Sequence, residues 1–306
     1  ARIVGTIDDA DEIIINTCIV KSPTENKIMF RIREIHREFP AKKIIIAGCL
    51  AKTDRVPEFC EKMNTIDVEK VCAPLVHKNP ALDIIQISRG CISNCAYCTT
   101  KKARGALISS PPEKIIQRMN ESLSAGIREF RFTSQDCGCY GLDIGTNLVG
   151  LLREVLKGLD VDFKIRIGMM NPTHLKEFYK ELFEVYKDPR IVKFLHLPVQ
   201  SGSDEVLKNM GRGYTAADFA EIIKEARRQI QGIIIWTDII VGFPEETDSD
   251  FEKSCELLRE VHPDFINVSK FGVRPGTAAA RMKQLPTQVI KERSVKMSEI
   301  ARGLRS

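Results

Sequence analysis

The stretch LDIIQISRGCISNCAYC, residues 82–98, joins a strand-like run to three closely spaced cysteines. Its first half, Leu82–Ser88, is rich in isoleucine and predicts a β-strand. Its second half spaces Cys91, Cys95 and Cys98 as CxxxCxxC, on the loop where the chain would leave the sheet. Three thiols at this spacing favour a metal centre over cysteines that only fill a core.

Five further strand-like runs follow, at Glu129–Ser134, Phe163–Gly168, Val192–Leu197, Ile233–Val241 and Phe265–Lys270. Helical patterns separate most of them, at Pro112–Ala125, His174–Tyr186, Thr215–Ile230 and Asp248–Val261. This alternation predicts right-handed crossovers and a mainly parallel sheet. Six such units are fewer than the eight of a closed barrel. We therefore predict an α/β fold, a partial (β/α)6 barrel with its chemistry at the carboxyl ends of the strands.

The first 78 residues predict a smaller α/β domain. Glu12–Asn16 and Lys43–Ala47 are strand-like, and Glu25–Glu38 between them has the pattern of an amphipathic helix. His77–Pro80 is the predicted linker. The expected division of the chain is an N-terminal domain over 1–78, the barrel over 79–286 and a C-terminal helix over 287–306.

The composition is that of a globular protein, with 43% apolar and 28% charged residues among 306. The formal charge of +5 permits a nucleic-acid partner without requiring one. The first twelve residues carry four acids and no signal-peptide pattern, and the longest apolar stretch, Gly232–Phe243, is too short to span a membrane. We expect a cytoplasmic protein, in which ten cysteines indicate metal binding or catalysis before disulfides.

The cysteine spacing narrows the kind of metal site. A structural zinc takes four ligands, and no fourth cysteine or histidine follows the motif at zinc-finger spacing. A 4Fe–4S cluster bound by three cysteines leaves one iron open to another ligand. The motif therefore predicts such a cluster on Cys91, Cys95 and Cys98.

Polar side chains and glycines follow the other predicted strands. Any one of these turns could be no more than a helix N-cap. Because all of them lie at the same edge of a parallel sheet, they predict a cofactor pocket beside the cluster loop. The candidate cofactor-binding residues are Tyr97, Gln135, Arg166, Gln200, Ser201 and Gly242.

Four segments resemble the radical S-adenosylmethionine (SAM) methylthiotransferases, and the likeness extends from Asn16 to Pro286. They are residues 90–105, 135–136, 197–204 and 238–244. The resemblance implies an enzyme that attaches a CH3S group to a carbon–hydrogen bond. It also implies an N-terminal domain with an auxiliary 4Fe–4S cluster, the barrel, and a C-terminal RNA-binding TRAM domain.

The resemblance assigns further residues. Cys18 and Cys49 match two of the three auxiliary-cluster ligands. The third lies upstream of both in the family, so either the native chain begins before Ala1 or Cys60 or Cys72 takes its place. We therefore expect a chain that lacks its true start and the TRAM domain. Cys60, Cys72 and Cys255 are expected to be structural thiols, while Cys137 and Cys139 are left without a role.

Two stretches resemble the archaeal and eukaryotic branch that acts on threonylcarbamoyladenosine in tRNA. They are residues 98–105 and residues 134–145. In this branch one SAM methylates a sulfur at the auxiliary cluster, and a second yields a 5′-deoxyadenosyl radical that removes hydrogen from carbon 2 of adenine. Lys101, Lys102 and Arg104 would suit the RNA backbone. The implied partners are tRNA and an electron donor such as a flavodoxin or ferredoxin, and the protein is expected to be a monomer.

Other functions remain open from the sequence. A methylthiotransferase of a ribosomal-protein aspartate or of isopentenyladenosine in tRNA would keep the same clusters. A radical SAM enzyme of another reaction type would not need Cys18 and Cys49. A non-catalytic iron–sulfur or zinc protein that binds RNA would not need the polar strand ends.

Overall fold

The computed structural model describes residues 4–17, 22–63 and 81–304. These residues form two compact units. The first contains the described residues up to 63 together with the later segment Thr99–Gly105. The second contains residues 81–98 and 106–304.

The first unit is a three-stranded parallel sheet with one long helix. Its strands lie in the order β1-β2-β3, and each residue of β1 pairs with one of β2, from Glu12 with Lys43 to Thr17 with Gly48. Ile32 and Ile35 of the helix pack against Ile44 and Ile46 of β2 in the core of this unit. Its elements are β1 (Glu12–Thr17), α1 (Ser22–Glu38), β2 (Lys43–Gly48), β3 (Cys60–Lys62) and α2 (Thr100–Arg104).

The second unit contains six parallel strands in two sheets of three. Their orders are β4-β7-β8 and β9-β10-β11. A parallel bridge between Ile165 and Ile191 connects β8 to the chain just before β9. The strands are β4 (Leu82–Gln86), β7 (Glu129–Thr133), β8 (Lys164–Ile167), β9 (Phe194–His196), β10 (Ile234–Val241) and β11 (Phe265–Lys270), with a small antiparallel pair, β5 (Ser88–Arg89) and β6 (Ile108–Ser109).

Helices follow the strands of the second unit. Capping boxes at Thr215 and Thr247 fix the starts of the two longest crossover helices. The helices are α3 (Pro112–Ser124), α4 (Leu148–Gly158), α5 (Pro172–Leu175), α6 (Tyr179–Val185), α7 (Asp204–Asn209), α8 (Ala216–Gln229), α9 (Asp248–Val261) and α10 (Thr287–Gly303). In the described part of the chain, no helix combines the length and apolar character needed to cross a membrane.

The strands of this barrel have two different faces, because successive side chains of a strand point to opposite sides. On the outer face, Ile165, Leu195 and Ile239 are buried and belong to the core that also contains the helix residues Phe219 and Phe251. On the inner face the corresponding side chains are at least partly exposed and mostly polar. These inner-face residues are Gln86, Arg131, Thr133, Arg166, His196, Trp236, Asp238, Ile240, Asn267 and Ser269.

The predicted fold is confirmed, with the predicted strands of the barrel ending within a few residues of the observed ones. One predicted helix, His174–Tyr186, is interrupted, because the chain leaves helical geometry at Phe178. The result is two short helices, α5 and α6. The predicted linker His77–Pro80 lies outside the described residues.

Candidate iron–sulfur and cofactor site

The cysteine loop leaves the barrel at the carboxyl end of β5. Gly90 makes the turn at φ +78°, and its backbone N–H donates to Gln135 Oε1 at 2.7 Å. Gln135 lies at the carboxyl end of β7, the strand next to β4 in the sheet. Gln135, which the sequence predicts to contact a cofactor, therefore holds the start of the cysteine loop in this structure.

The far side of the loop is fixed by a second segment of the barrel. The N–H of Ala96 donates to the carbonyl of Met210 at 2.9 Å, and the carbonyl of Ala96 accepts from the N–H of Ala279 at 2.9 Å. Gly211 has φ +72°, and a Cβ there would lie 3.1 Å from the carbonyl oxygen of Asn94. This close approach and the positive φ both favour glycine at this position.

All three thiols of the loop are half-buried. The Ser93 N–H lies 3.4 Å from Cys91 Sγ, and Arg212 Nη1 donates to Cys95 Sγ at 3.1 Å. Burial raises the pKa of the Cys91 thiol, and the hydrogen bond from Ser93 offsets part of this effect. The sulfurs of Cys91 and Cys95 therefore each face a hydrogen-bond donor.

Three cysteine thiols on one loop match the ligand set of a 4Fe–4S cluster with one open iron. Thiolates sharing one zinc each lie about 2.3 Å from it, whereas a cluster spreads its ligands over separate irons. Hydrogen bonds to cysteine sulfur are the usual environment of a protein-bound cluster.

The buried carboxylate of Asp136 is linked to the cysteine loop through His174. Asp136 Oδ1 accepts from the N–H groups of Gly138 and Asn171, at 2.9 and 3.0 Å. His174 Nε2 lies 3.6 Å from Asp136 Oδ2 and 3.2 Å from Ser93 Oγ. Burial raises the pKa of Asp136, although His174 opposes this effect. The network connects the end of β7 to the cysteine loop.

Gln200 and Ser201, both predicted to bind the cofactor, have different surroundings. Gln200 is half-exposed at φ +70° and bridges Ile239 of β10 through its backbone. Ser201 is fully buried, and its hydroxyl lies 3.3 Å from Ser254 Oγ and accepts from the Ser203 N–H. Ser203 itself caps α7, as the N-cap alternative for these turns predicted.

Tyr97 and Arg166, also predicted cofactor contacts, lie against aromatic rings. Tyr97 packs edge-on against Phe243, with ring centroids 6.5 Å apart. The Arg166 guanidinium lies over the Phe194 ring at 3.9 Å, on the inner face of the barrel. Burial lowers the pKa of Arg166, and the neighbouring charge of Arg131 lowers it further.

Gly242, the remaining predicted cofactor residue, packs against α10. It has φ +75°, and a Cβ there would lie 2.6 Å from Ile290. Its N–H donates to Glu246 Oε2 at 2.8 Å, and the same oxygen accepts from Arg293 Nη1 at 2.7 Å. The turn after β10 therefore holds the last helix in place.

The first unit contains one predicted auxiliary ligand, Cys49. It follows Gly48, whose φ is +79° and whose Cβ would lie 2.5 Å from the Thr17 carbonyl oxygen. Cys49 is buried, its N–H donates to the Thr17 carbonyl at 3.1 Å, and its Sγ accepts from Arg104 Nε at 3.0 Å. Cys18, the other predicted ligand, lies outside the described residues.

The remaining predicted residues divide by exposure. Lys101 and Lys102 are exposed on α2, whereas Arg104 on the same helix is half-buried against Cys49. The other described cysteines are free thiols; Cys137, Cys139 and Cys255 are buried and Cys60 is half-buried. Cys72 lies outside the described residues.

Sequence reasoning missed two groups. Arg212 is 117 residues from Cys95 in the chain, so spacing gives no sign of their contact. His196 and Asp238, 2.6 Å apart on the inner face, stand on neighbouring strands. This pair could have been predicted from the sequence, because a histidine and an aspartate within otherwise apolar strands require polar partners.

Comparison with known proteins agrees with this geometry. The model of the radical SAM superfamily matches residues 85–258, and a family described as uncharacterized protein family UPF0004 matches residues 1–75. Among solved structures, the cobalamin-dependent SAM radical enzyme OxsB superposes with a TM-score of 0.58 at 13% identity, covering 97% of this chain and 48% of that one. The radical SAM methyltransferase TsrM from Kitasatospora setae gives 0.53 at 16% identity, over 76% and 43%. These likenesses establish the fold alone.

Sequence relatives are more specific. The probable threonylcarbamoyladenosine tRNA methylthiotransferase of Pyrococcus abyssi is 41% identical, covering 96% of this chain and 75% of that protein. The one from Methanocaldococcus jannaschii is 40% identical, over 99% and 77%. The human threonylcarbamoyladenosine tRNA methylthiotransferase is 35% identical, over 98% and 57%. With the cysteine loop and the barrel in place, the chain belongs to the radical SAM family of threonylcarbamoyladenosine tRNA methylthiotransferases.

Proposed function

We propose that this protein attaches a methylthio group to carbon 2 of N6-threonylcarbamoyladenosine in tRNA, next to the anticodon, with two 4Fe–4S clusters and SAM. The observation that carries the proposal is the loop of half-buried thiols at the carboxyl edge of six parallel strands. This loop stands in a chain 41% identical to a relative named for that modification.

In the proposed reaction the C2–H bond of the adenine breaks and a C2–S bond forms. The hydrogen leaves in 5′-deoxyadenosine, with methionine as the other product of that SAM molecule. The methyl group comes from a second SAM molecule, which leaves as S-adenosylhomocysteine. Combining the C2 radical with methylthiolate releases one electron, which the auxiliary cluster would take up. When bound, the clusters supply the electron that cleaves SAM and hold the sulfide-level sulfur that is transferred. The electron comes from a low-potential donor such as a flavodoxin or ferredoxin.

The ligands of the radical SAM cluster are Cys91, Cys95 and Cys98. The Ser93 N–H and the Arg212 guanidinium are the chain's own donors to two of these sulfurs. Hydrogen bonds and positive charge at a cluster's sulfurs raise its reduction potential. We assign Arg212 as a positioning residue that orients Cys95 and makes the cluster easier to reduce.

For SAM we propose Tyr97, Gln135, Arg166 and Gln200 as contacts. The other two predicted cofactor-binding residues, Ser201 and Gly242, have no free face for a ligand of this kind. Ser201 is fully buried against Ser254, and Gly242 packs on Ile290. We assign these two to the support of the pocket.

Cys49 is the proposed auxiliary ligand within the described residues, and Cys18 is proposed with it. Arg104 donates to Cys49 Sγ, so we assign its guanidinium to that thiolate. Lys101 and Lys102 on the same helix are exposed and are the proposed phosphate contacts. The protein is proposed to act as a monomer in the cytoplasm.

The test is mass spectrometry of tRNA nucleosides from a strain that lacks the gene. We expect the 2-methylthio form of threonylcarbamoyladenosine to disappear while the unmethylthiolated nucleoside accumulates. The wild-type gene and a Cys60→Ala variant should restore it, and a Cys95→Ala variant should not. Loss of methylthio groups from isopentenyladenosine or from a ribosomal-protein aspartate instead would contradict the proposal.

A further inference from the structure

The inner face of the barrel is unusually polar. The interior of a small barrel is ordinarily filled by branched apolar side chains. Here, however, His196, Asp238 and Asn267 stand at neighbouring positions on β9, β10 and β11, all half-buried. Polar groups that remain partly accessible inside a barrel indicate a space that takes a ligand.

These three side chains form one hydrogen-bonded group, which we name the inner triad. Asp238 Oδ2 lies 2.6 Å from His196 Nε2, and Asp238 Oδ1 accepts from Asn267 Nδ2 at 2.5 Å. The carboxylate thereby fixes the ring plane of His196 and the amide plane of Asn267. The His196 side chain is 24% exposed, and the hydrogen bond to Asp238 uses only its Nε2.

An aromatic wall adjoins the inner triad. Trp236 pairs in register with His196 on one side and with Phe265 on the other. The Trp236 and Phe265 rings stack at 5.2 Å, and the His196 and Trp236 rings lie 5.8 Å apart. Directional polar groups beside aromatic planes are the means by which proteins hold an unstacked nucleobase, through its edge and its face.

The inner triad lies close to the cysteine loop. Ile240, the next inner-face residue of β10 after Asp238, belongs to the same apolar cluster as Ala96 and Tyr97 of that loop. Two residues of a strand span about 7 Å. Asp238 therefore lies about 7 Å along β10 from the residue that shares a cluster with the loop. A base bound to the inner triad would lie at that depth in the barrel.

We propose that the inner triad and Trp236 form the pocket for the adenine base that is modified. This inference rests on the proposed function and adds to it the place where the substrate base is bound. The base lies against the Trp236 ring, and the His196 ring and the Asn267 amide meet its polar edge. Asp238 is a positioning residue, because both of its oxygens are used by the other two members.

The test uses the full-length protein with both clusters reconstituted anaerobically. Its substrate is an anticodon stem-loop RNA that carries threonylcarbamoyladenosine with deuterium at C2. The variants are His196→Leu and the milder Asp238→Asn, which keeps the size of the side chain. Thr237→Val is the matched control, since Thr237 is on the same strand but faces outward and bonds the Leu197 carbonyl.

We expect His196→Leu to keep its iron content and its SAM affinity, and to continue to release 5′-deoxyadenosine. Transfer of deuterium to that product should fall roughly tenfold to a hundredfold, as for the loss of one buried hydrogen-bond partner. Asp238→Asn should show a smaller loss of the same kind. The Thr237→Val control should transfer deuterium as the wild type does.

Two results would overturn the inference. If SAM affinity falls tenfold in His196→Leu, the pocket belongs to the cofactor. If deuterium transfer is unchanged in both variants, the triad does not hold the base. Failure of the proposed function is a separate outcome, because the wild-type protein itself would then give no methylthiolated RNA.

Discussion

Arg293 is expected to be the residue of α10 on which the stability of the barrel depends most. Its Nη1 donates to Glu246 Oε2 at 2.7 Å and to the Glu246 carbonyl at 2.9 Å, and Nη2 donates to Asp248 at 2.7 Å. The exposed fraction of the side chain is 7% for Arg293 and 1% for Glu246. Arg293→Met keeps the length and apolar packing but leaves the Glu246 charge buried without its partner.

The expected cost follows from this burial. Breaking one member out of a buried ion pair destabilises a protein by about 3–5 kcal/mol. For a unit of this size, each kcal/mol lowers the melting temperature by about 2–4 °C, so the expected decrease is about 6–20 °C. Glu246→Gln together with Arg293→Met should recover part of this loss, because the uncompensated charge is then absent.

The stability cost of Arg293→Met should also depend on pH, and the direction of this dependence follows from the pKa of Glu246. Burial raises the pKa of Glu246 above its ordinary value, although the Gly242 N–H and Arg293 oppose this effect. A carboxyl whose pKa is higher in the folded state binds protons preferentially there, so stability falls as pH rises through that interval. Removing Arg293 should raise this pKa further. The penalty of Arg293→Met should therefore shrink as the pH is lowered from 8 towards 5.

Thermal unfolding and hydrogen exchange of the peptide 287–303 measure these effects. Lys296→Met is the matched control. Lys296 lies on α10 one turn after Arg293 and pairs with Glu252 of α9, but its side chain is half exposed. This control should change the melting temperature little, as exposed ion pairs contribute little. An Arg293→Met protein that melts within about 2 °C of the control, at pH 8, would refute the reasoning.

Three further predictions concern the clusters and the cofactor. Cys49→Ala should lower the iron content by one cluster and leave SAM cleavage intact, while Cys60→Ala keeps all the iron; equal iron in both would contradict the auxiliary assignment. Arg212→Met should lower the reduction potential of the radical SAM cluster by roughly 65–130 mV, the equivalent of about 1.5–3 kcal/mol for a charged hydrogen bond in a one-electron couple, and an unchanged potential in a redox titration would count against its role. Gln200→Ala should weaken SAM binding roughly tenfold to a hundredfold in calorimetry, without loss of iron, and normal affinity would remove Gln200 from the pocket.

Strands and the cluster loop were predictable because their signals are local. The run IIWTDIIV alternates in burial along the whole of β10, and the CxxxCxxC spacing is complete within eight residues. The break at Phe178 was not predictable, since no glycine or proline marks it and the neighbouring residues favour a helix.

The contacts that complete the site are not local. Cys95 meets Arg212 and His196 meets Asp238 only because separate strands and turns of the barrel converge at its carboxyl edge. Gly242 is an instructive case. A glycine after a strand suggests close approach to a ligand, but here the close neighbour is Ile290 of the last helix. Sequence indicates that space is required at such a position, and only the fold identifies what occupies it.

The short helix α2 has a consequence for how the chain can be divided. Ala103 belongs to the core of the first unit with Cys49 and Leu50, although it lies some fifty residues further along the chain. A fragment cut near residue 78 would therefore lack one wall of its own core and the donor to Cys49 Sγ. On the ribosome, the first unit cannot complete its packing until α2 has emerged, and by then the radical SAM cysteines have emerged as well.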